Sequence, residues 1–557
     1  MTFMKNKKAE WIVFLVYLIG LIIISAFHEE CFDETQAWEI ARCASLKDIL
    51  FKIPHYEGHP PLWHLLLVPF AKSGMPFKFS LHFLAILFST SAMGLLIFKS
   101  PFPKPVRCLL PFTYFFFYQY GVVARPYSLM MLAIMLSAMT YTDRNQKPFR
   151  YILSLCLLCL TSAFGIMIAG CLCIVWTVEI LSEMIKHKTL KFFWKDKRFY
   201  ALCVILTLAM ILMLTISPAE DCYYNGVDDN ETLWNHFTDW KRVILWLLVS
   251  FDVWFGEYFS YAKWNVSDTA LIMEMLGGIA FWSVMIPLLK KNKKFWTFFL
   301  PHTVLSCFML WYYFSIHHIG ILAMIHVMGF WMMMAQPEGM QIPDFMKKIW
   351  SSLNSVVLKK MIIGIGGIIC MIPLVYTVVS VYHEVQYDYA PVRHAEFIKE
   401  HHLEDKKIMI AWKTKTDDEY ADWYPTHYMP APHAEIKANY TNIVGHGSTL
   451  SVYFDKNIFM NFNIDCPEDL YMHYQYKEDV QAVFAKWREQ GLPDFILEYA
   501  PIDEVYDEDM LEEVEYVCIQ EFEAGEVFKF NRKQDTHRIF IRKDLLDEYP
   551  QFHQLYP

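Results

Sequence analysis

The chain has 557 residues, of which 55% are hydrophobic, 17% aromatic and only 19% charged, with a formal net charge of −10. So much apolar side chain argues against a single soluble domain of this length. No basic patch interleaved with aromatic residues is present, so we expect no nucleic-acid partner.

Long apolar runs recur between residues 11 and 382 and then stop. Because about 17–25 consecutive apolar residues span a bilayer as a helix, this pattern predicts a polytopic α-helical membrane protein. About eleven transmembrane helices are predicted, over residues 11–27, 79–98, 108–122, 126–142, 151–164, 166–182, 199–217, 269–289, 295–315, 319–335 and 361–382. The chain divides accordingly into a transmembrane part, 1–382, and a soluble C-terminal part, 383–557.

The basic residues predict the orientation of these helices, since lysine and arginine in short loops mark the cytoplasmic side. Lys5, Lys7 and Lys8 place the N-terminus in the cytoplasm, and the later basic clusters alternate correctly when they too are placed inside. An odd number of spans then puts the tail on the extracytoplasmic side. Two apolar segments, 62–70 and 243–261, do not fit as full spans, and we interpret both as helices at the outer surface.

An acidic pair, Asp33 and Glu34, follows the first predicted span and opens an amphipathic stretch, "DETQAWEIARCASLKDIL". Amphipathic helices lie in the membrane interface, so both carboxylates are expected just above the bilayer. There they are candidates for accepting a proton from a substrate. The alternative is that Asp33 simply caps the following helix, since Asp is a favourable N-cap residue.

The turn "HYEGHPPLWH", residues 55–64, supplies further polar groups on the same side of the membrane. Its Pro-Pro pair is expected to end one helix and begin another. His55, Glu57 and His59 are candidate ligands for a divalent metal if the segment is extended. The alternative, which we favour, is a solvated structural turn, so no metal ligand is assigned.

Arg125, in "ARPYSL", lies between two apolar runs, where a charged residue is a functional candidate. Its planar guanidinium binds phosphate and stays charged at any relevant pH. The alternative is an interfacial anchor. His317 and His318, in "SIHHIG", lie at another outer helix end and are candidate substrate contacts. Together these features predict the transfer of a group from a lipid phosphate. The acids would accept a proton, the cation would hold the phosphate, and the membrane would supply the lipid.

Three motifs in this order, "DET…WEIAR", "EGHPPLW" and "ARPYSL", resemble the GT-C superfamily of membrane glycosyltransferases. Within this superfamily the chain is similar to the branch that contains protein O-mannosyltransferases and the lipid A aminoarabinose transferase. The motifs cover about the first 150 residues. The resemblance implies a GT-C-like fold and a polyprenyl-phosphate sugar as donor. It also implies an extracytoplasmic glycan, lipid or protein as acceptor, inversion at the anomeric carbon, and a plasma-membrane location.

The resemblance also implies residue roles. Asp33 matches the acid that acts as base on the acceptor, and Glu34 is expected to orient the acceptor or a bound ion. Arg125 matches the position that holds the donor phosphate, and Tyr127 is expected to bind substrate. The remaining residues expected to bind substrate are Glu57, His59, His317 and His318. A divalent metal is the one candidate cofactor, and the sequence assigns no ligand to it.

The tail alternates helical and strand patterns, which predicts a small α/β domain. Helices are predicted in "PVRHAEFIKEHH" and "KEDVQAVFAKWREQG", and strands in "KKIMIAW", "NIFMNFN", "PDFILEY", "EVFKFN" and "RIFIRK". Cys466 and Cys518 in this tail are either paired or free. An accessory role in binding or covering the acceptor is expected of this domain.

Three other functions are compatible with parts of the sequence. An oligosaccharide ligase or polymerase using lipid-pyrophosphate donors would share the outward acids and the cation. A transporter or flippase would need ionisable residues deep within its spans, for which only His82, Glu179 and Glu274 are candidates. A non-catalytic envelope protein would use the acids as helix caps and Arg125 as an anchor.

Overall fold

The computed structural model describes residues 7–222, 240–255, 268–311, 316–353, 355–410, 446–462, 466, 468–473, 480–497, 508–512, 514–525 and 534–555. The helices up to residue 255 are α1 (Lys8–Phe27), α2 (Phe32–Cys43), α3 (Leu46–Phe51), α4 (Pro54–Glu57), α5 (Leu62–Ala71), α6 (Phe77–Lys99), α7 (Lys104–Leu109), α8 (Tyr127–Tyr141), α9 (Pro148–Cys159), α10 (Ala163–Lys186), α11 (Lys197–Ile216) and α12 (Trp240–Phe255). They continue with α13 (Asp268–Lys291), α14 (Phe295–Trp311), α15 (Ile316–Met334), α16 (Asp344–Ser352), α17 (Val356–Gln386), α18 (Ala390–Glu400), α19 (Val480–Glu489) and α20 (Glu508–Leu511). The strands are β1 (Ile408–Ile410), β2 (Phe495–Leu497), β3 (Tyr516–Gly525) and β4 (Gln534–Arg542).

Five helices of the described chain, α1, α6, α10, α11 and α17, are long and apolar enough to cross a membrane. Their outward faces are apolar, since Leu214 in α11 is 72% exposed and Ile368 in α17 is 70% exposed. Soluble proteins rarely expose apolar faces of this extent, and these helices are compatible with a membrane protein. α17 has 31 residues. Its length of about 46 Å exceeds the roughly 30 Å of bilayer hydrocarbon, so it is longer than a membrane span requires.

The segment predicted as one helix over 108–122 is divided into three pieces. After α7 come a 3₁₀ turn, Leu110–Phe112, and a π-helix, Phe115–Val122. Pro111 interrupts the helix because it has no N–H to donate. All eight residues of the π-helix are buried. π-Helices occur frequently at functional sites, and this one ends shortly before Arg125.

α5 and α12 correspond to the two apolar segments predicted not to span the membrane. α5 packs Trp63 and Leu67 against α2 and α6. α12 packs Val249 and Val253 among α13, α14, α15 and α17. α5, at about 15 Å, is shorter than the roughly 30 Å of bilayer hydrocarbon, and the described length of α12 is about 24 Å.

Beyond α17 the described residues form a four-stranded sheet in the order β1-β2-β4-β3. β1 and β2 are parallel, whereas β2 pairs antiparallel with β4, and β4 antiparallel with β3. Ile398 from α18, Trp487 from α19 and Ile539 from β4 share the core of this region. The predicted division between residues 382 and 383 falls inside α17, which continues to Gln386.

The tail differs from the sequence prediction in two places. The strand predicted in "NIFMNFN" is wrong, because its described residues form only an isolated bridge, between Phe459 and Ile408. The longest strand among the described residues, β3, was not predicted. The strand predicted in "EVFKFN" lies outside the described residues. All thirteen cysteines are free, so Cys466 and Cys518 are not paired.

The tail lies directly on the segment between α1 and α6. Phe32 and Tyr56 from that segment pack against the core of the tail, and Tyr453 of the tail packs against a cluster that includes residues of α2. Glu29 accepts a hydrogen bond from the backbone N–H of Tyr389. The residues of α2 and α4 therefore lie between the helical bundle and the tail.

Candidate active site

Glu34 lies in the first turn of α2 and is completely buried. One of its carboxylate oxygens is bonded to the backbone N–H of Cys31 at 2.9 Å and to the imidazole of His28 at 3.0 Å. The other accepts a hydrogen bond from the backbone N–H of Ala124 at 2.6 Å. The bond from Cys31 caps α2, and the bond from Ala124 ties α2 to the end of the π-helix. Glu34 therefore fixes the start of α2.

His28 lies between two buried carboxylates, those of Glu34 and Glu384, each at 3.0 Å. Tyr118 donates a hydrogen bond to the second oxygen of Glu384. Burial disfavours the charged imidazole, but the two glutamates raise the pKa of His28 well above its usual value. Burial likewise opposes ionisation of Glu34, but His28 lowers the pKa of this carboxyl to about 2. This network joins α1, α2, α17 and the π-helix.

Asp33, the neighbour of Glu34, has a different environment. Its side chain is 39% exposed, and its Oδ2 atom lies 2.9 Å from Nη1 of Arg125. Arg125 is only 11% exposed, and its guanidinium lies 5.0 Å from the centroid of the Tyr127 ring. Because Glu34 holds Ala124, the residue before Arg125, it places the guanidinium beside Asp33. A carboxylate and a guanidinium at this position can accept a proton and hold an anion, respectively.

Glu57 ends α4 and is followed by Gly58, which adopts the left-handed φ of +65° that favours glycine. Nε2 of Gln36 donates a hydrogen bond to Oε1 of Glu57 at 2.9 Å. Burial raises the pKa of Glu57 to about 7; the bond from Gln36 opposes this shift and the charge of Asp33 adds to it. A carboxyl group that titrates near neutrality can act as an acid or a base.

His59, Tyr127 and His318 all interact electrostatically with the same guanidinium. Burial and the charge of Arg125 lower the pKa of His59 to about 4, so this imidazole is neutral at pH 7. The rings of Tyr127 and His318 meet edge to face at 6.4 Å, and Arg125 interacts electrostatically with both. The structure thus brings together the following sequence-predicted residues: Asp33, Glu57, His59, Arg125, Tyr127 and His318. The side chain of His317 lies outside the described residues.

Several residues that organise the site were not predicted from the sequence. Gln36 lies three residues after Asp33 on α2, and this helical spacing was a usable signal. Glu384 and Tyr118 had no such signal, because their contact joins positions 266 residues apart. Long-range contacts of this kind follow only from the fold.

The turn 55–59 was considered as a metal site. Nδ1 of His55 instead contacts the carbonyl oxygen of Ser217 at 2.6 Å, and Glu57 is bonded to Gln36. Among the described residues, one group of three metal-ligating side chains has converging ligand atoms, and it lies in the tail. The structure therefore gives no support for a metal at His55, Glu57 and His59.

The ionisable residues considered for a transporter have partners where the structure describes them. His82 contacts Glu30 at 3.0 Å, and Glu179 forms an ion pair with Arg144 at 2.7 Å. The side chain of Glu274 is outside the described residues. The pairs at His82 and Glu179 account for these charges as structural contacts.

No protein-family profile, curated protein or solved structure matches the chain. The chemistry available to Asp33, Arg125 and the residues around them is therefore the basis for assigning a function.

Proposed function

We propose that the protein is an integral membrane glycosyltransferase that moves a monosaccharide from a polyprenyl-phosphate donor to an extracytoplasmic acceptor, with inversion. The observation that carries this proposal is the pair formed by Asp33 and Arg125, with a carboxylate oxygen 2.9 Å from a guanidinium nitrogen. Asp33 follows the long apolar helix α1 in the chain, and Arg125 precedes the apolar helix α8. Both residues belong to the motifs that resemble the GT-C superfamily, "DET" and "ARPYSL".

In the proposed reaction an acceptor oxygen attacks the anomeric carbon while the bond from that carbon to the lipid phosphate breaks. Asp33 takes the proton of the acceptor, and the polyprenyl phosphate leaves with the electron pair of the broken bond. Arg125 stabilises the charge that develops on this phosphate. Its guanidinium has five N–H donors, so a phosphate oxygen and the carboxylate can share it. The 39% exposure of the Asp33 side chain leaves it accessible to an acceptor.

The neighbouring residues suit recognition of the sugar. His59 is neutral at pH 7, and a neutral imidazole can donate one hydrogen bond and accept another. Glu57, with a pKa of about 7, can likewise act as donor or acceptor near neutrality. Both are suited to the hydroxyl groups of a monosaccharide. Tyr127 and His318 add aromatic surface at the same position.

The proposal includes a topology for the whole chain. Eleven spans, a cytoplasmic N-terminus and an extracytoplasmic α/β tail would place the site at the outer surface of the plasma membrane. A lipid donor and an acceptor from the envelope would both reach it there. Glu34 serves the reaction indirectly in this scheme, because its bonds to Cys31 and Ala124 hold α2 and the Arg125 segment together.

The test is sugar transfer by purified protein in detergent, with a panel of radiolabelled polyprenyl-phosphate sugars as donors. Asp33→Asn removes the base but keeps the size of the side chain, and it should lower turnover by about a hundredfold or more. Asp405→Asn is the matched control, because Asp405 is 94% exposed and lies in the tail. Size-exclusion profiles of both variants check that they are folded.

The possible results separate the alternatives. Turnover that is lost in Asp33→Asn and kept in Asp405→Asn would support both the reaction and the base. Equal turnover in wild type and Asp33→Asn would exclude Asp33 as base and direct attention to Glu57. No turnover of any donor by folded protein would contradict the proposal, and lipid-pyrophosphate oligosaccharides would be the donors to try next.

A further inference from the structure

Three metal-ligating side chains converge in the tail, outside the candidate active site. They are Cys466, Asp469 and His473, and their ligand atoms all lie within 4.8 Å of one another. Nε2 of His473 is 3.1 Å from a carboxylate oxygen of Asp469. The backbone N–H of Asp469 donates to the carbonyl oxygen of Cys466 at 3.0 Å, which keeps the two side chains close.

These separations are close to those around a tetrahedral metal ion. Zn–N and Zn–O bonds of about 2.1 Å place two such ligand atoms about 3.4 Å apart, and a sulfur at about 2.3 Å lies about 3.6 Å from either. The His473–Asp469 distance of 3.1 Å already fits this spacing. The ligand atoms of the three residues lie at most 4.8 Å apart, which exceeds the expected spacing by about 1 Å. Rotation of the side chains can close this difference.

The surroundings hold the three ligands in place. The side chains of His473 and Asp469 are 15% and 25% exposed, so they are partly enclosed but reachable by an ion. Between them, Tyr471 is buried against Ile40 and Ile49, which belong to α2 and α3. A loop anchored in this way presents its ligands without the large ordering cost of a free segment.

We propose that Cys466, Asp469 and His473 bind a zinc ion. A thiolate, an imidazole and a carboxylate form a mixed set that suits Zn²⁺, whereas Mg²⁺ and Ca²⁺ prefer oxygen ligands alone. Water would complete the tetrahedron. Cys466 loses its proton when the metal binds, so affinity falls as the pH is lowered. This site does not depend on the proposed transferase reaction.

The ion would also stabilise the active site at a distance. Met472 precedes His473 and forms hydrogen bonds to Gln36 through both its backbone N–H and its carbonyl oxygen. Gln36 in turn donates to Glu57. Zinc bound by the loop would therefore fix the tail against α2, next to the carboxyl group that titrates near neutrality.

The experiment uses the full chain in detergent, stripped with a chelator and dialysed. Zinc is titrated in competition with a chromogenic chelator, and cobalt(II) is added separately as a spectroscopic probe. Wild type should bind about one equivalent of zinc, and the cobalt form should show a thiolate-to-metal charge-transfer band. Cys466→Ser and His473→Ala should each weaken zinc binding by at least about tenfold, and Cys466→Ser should abolish the band.

Controls distinguish loss of a ligand from loss of the fold. Cys203→Ser and His553→Ala remove exposed residues of the same types and should retain zinc. Cys466→His supplies another zinc ligand and should restore binding that Cys466→Ser loses. Glu57→Gln should also retain zinc. Absence of zinc binding in wild type, a cobalt form without the band, or unchanged zinc binding in Cys466→Ser would each overturn the proposal.

Discussion

Gln36 and Met472 are separated by 436 residues and joined by two hydrogen bonds. The Gln36 amide donates to the Met472 carbonyl oxygen at 3.0 Å and accepts from the Met472 N–H at 2.7 Å. The same amide donates to Glu57 at 2.9 Å and accepts from the hydroxyl of Ser448 at 3.2 Å. One side chain on α2 thus connects the tail to the candidate active site.

Gln36→Ala should destabilise the protein and loosen the tail. The substitution leaves the N–H and carbonyl oxygen of Met472 without these bonds, which costs about 1–3 kcal/mol for each buried group. The midpoint of thermal unfolding in detergent should fall, and protease cleavage within the tail should become faster. Gln146→Ala, at an exposed position, should leave both unchanged. Equal behaviour of the two variants would show that the Gln36 bonds contribute nothing to docking of the tail.

Glu34→Gln should mainly reduce stability, and Asp33→Asn should mainly reduce activity. Glu34 is buried in a charged network with His28 and Glu384, and breaking such a pair costs about 3–5 kcal/mol. The Asp33 side chain is 39% exposed, and the asparagine of Asp33→Asn keeps a carbonyl oxygen that can accept from Arg125, so this substitution should cost less. Thermal unfolding of the two variants at pH 7 measures the difference. A larger drop in Asp33→Asn than in Glu34→Gln would contradict these roles.

The pH dependence of the Glu34 contribution has a definite sign. Its pKa is lowered in the folded protein from 4.5 to about 2, so the carboxylate is the form that the fold favours. The stabilisation is complete above pH 4.5 and is lost as the pH falls toward 2. Acid unfolding of wild type should therefore be steeper in this range than that of Glu34→Gln.

Two candidate site residues that are far apart in the sequence are in contact in the structure. Asp33 and Arg125 were predicted as a base and a phosphate-binding cation, and the structure places them side by side. Glu34 was paired with Asp33 in the prediction, because adjacent acids look alike in a sequence. Their different environments are visible only in the structure. Successive side chains of a helix point about 100° apart, and of these two acids only Glu34 is buried.

Elements set by distant partners were predicted less well. The sequence of the π-helix, Phe115–Val122, is apolar like that of an ordinary span. Its conformation depends on packing against α1, α6 and α15. β3 carries Gln520, Glu521 and Glu523 among its residues, which obscures a strand pattern, and it is stabilised by pairing along β4. The helices α1, α6 and α8 were predicted closely because hydropathy is a local property.

Glu57 should make stability depend on pH in the opposite sense to Glu34. Its pKa is raised in the folded protein to about 7, from 4.5, so the fold favours the protonated carboxyl. Below pH 4.5 the carboxyl is protonated in both the folded and the unfolded chain, as neutral as the amide of Glu57→Gln, and from pH 4.5 toward 7 wild type becomes progressively less stable relative to that variant. Unfolding midpoints between pH 5 and 8 measure the slope, with Glu400→Gln, at an exposed position, as control. The same slope in all three proteins would refute the prediction.

Arg125→Lys should weaken donor binding although it keeps the charge. Lysine lacks the planar fork that holds a phosphate and a carboxylate together. The loss of one charge-assisted hydrogen bond is worth about 1.5–3 kcal/mol, so the dissociation constant of the donor should rise by about ten- to a hundredfold. Titration of protein with a polyprenyl-phosphate sugar, followed by calorimetry, measures this constant.

The chain contains a closely matched control for this substitution. Arg144 pairs with Glu179 at 2.7 Å, and the side-chain exposures of 11% and 39% equal those of Arg125 and Asp33. Arg144→Lys therefore changes an arginine of the same burial and pairing at the other end of α8, which is about 22 Å long, and should leave the dissociation constant unchanged. If both variants weaken donor binding equally, the effect comes from disturbed packing and Arg125 does not hold the donor phosphate.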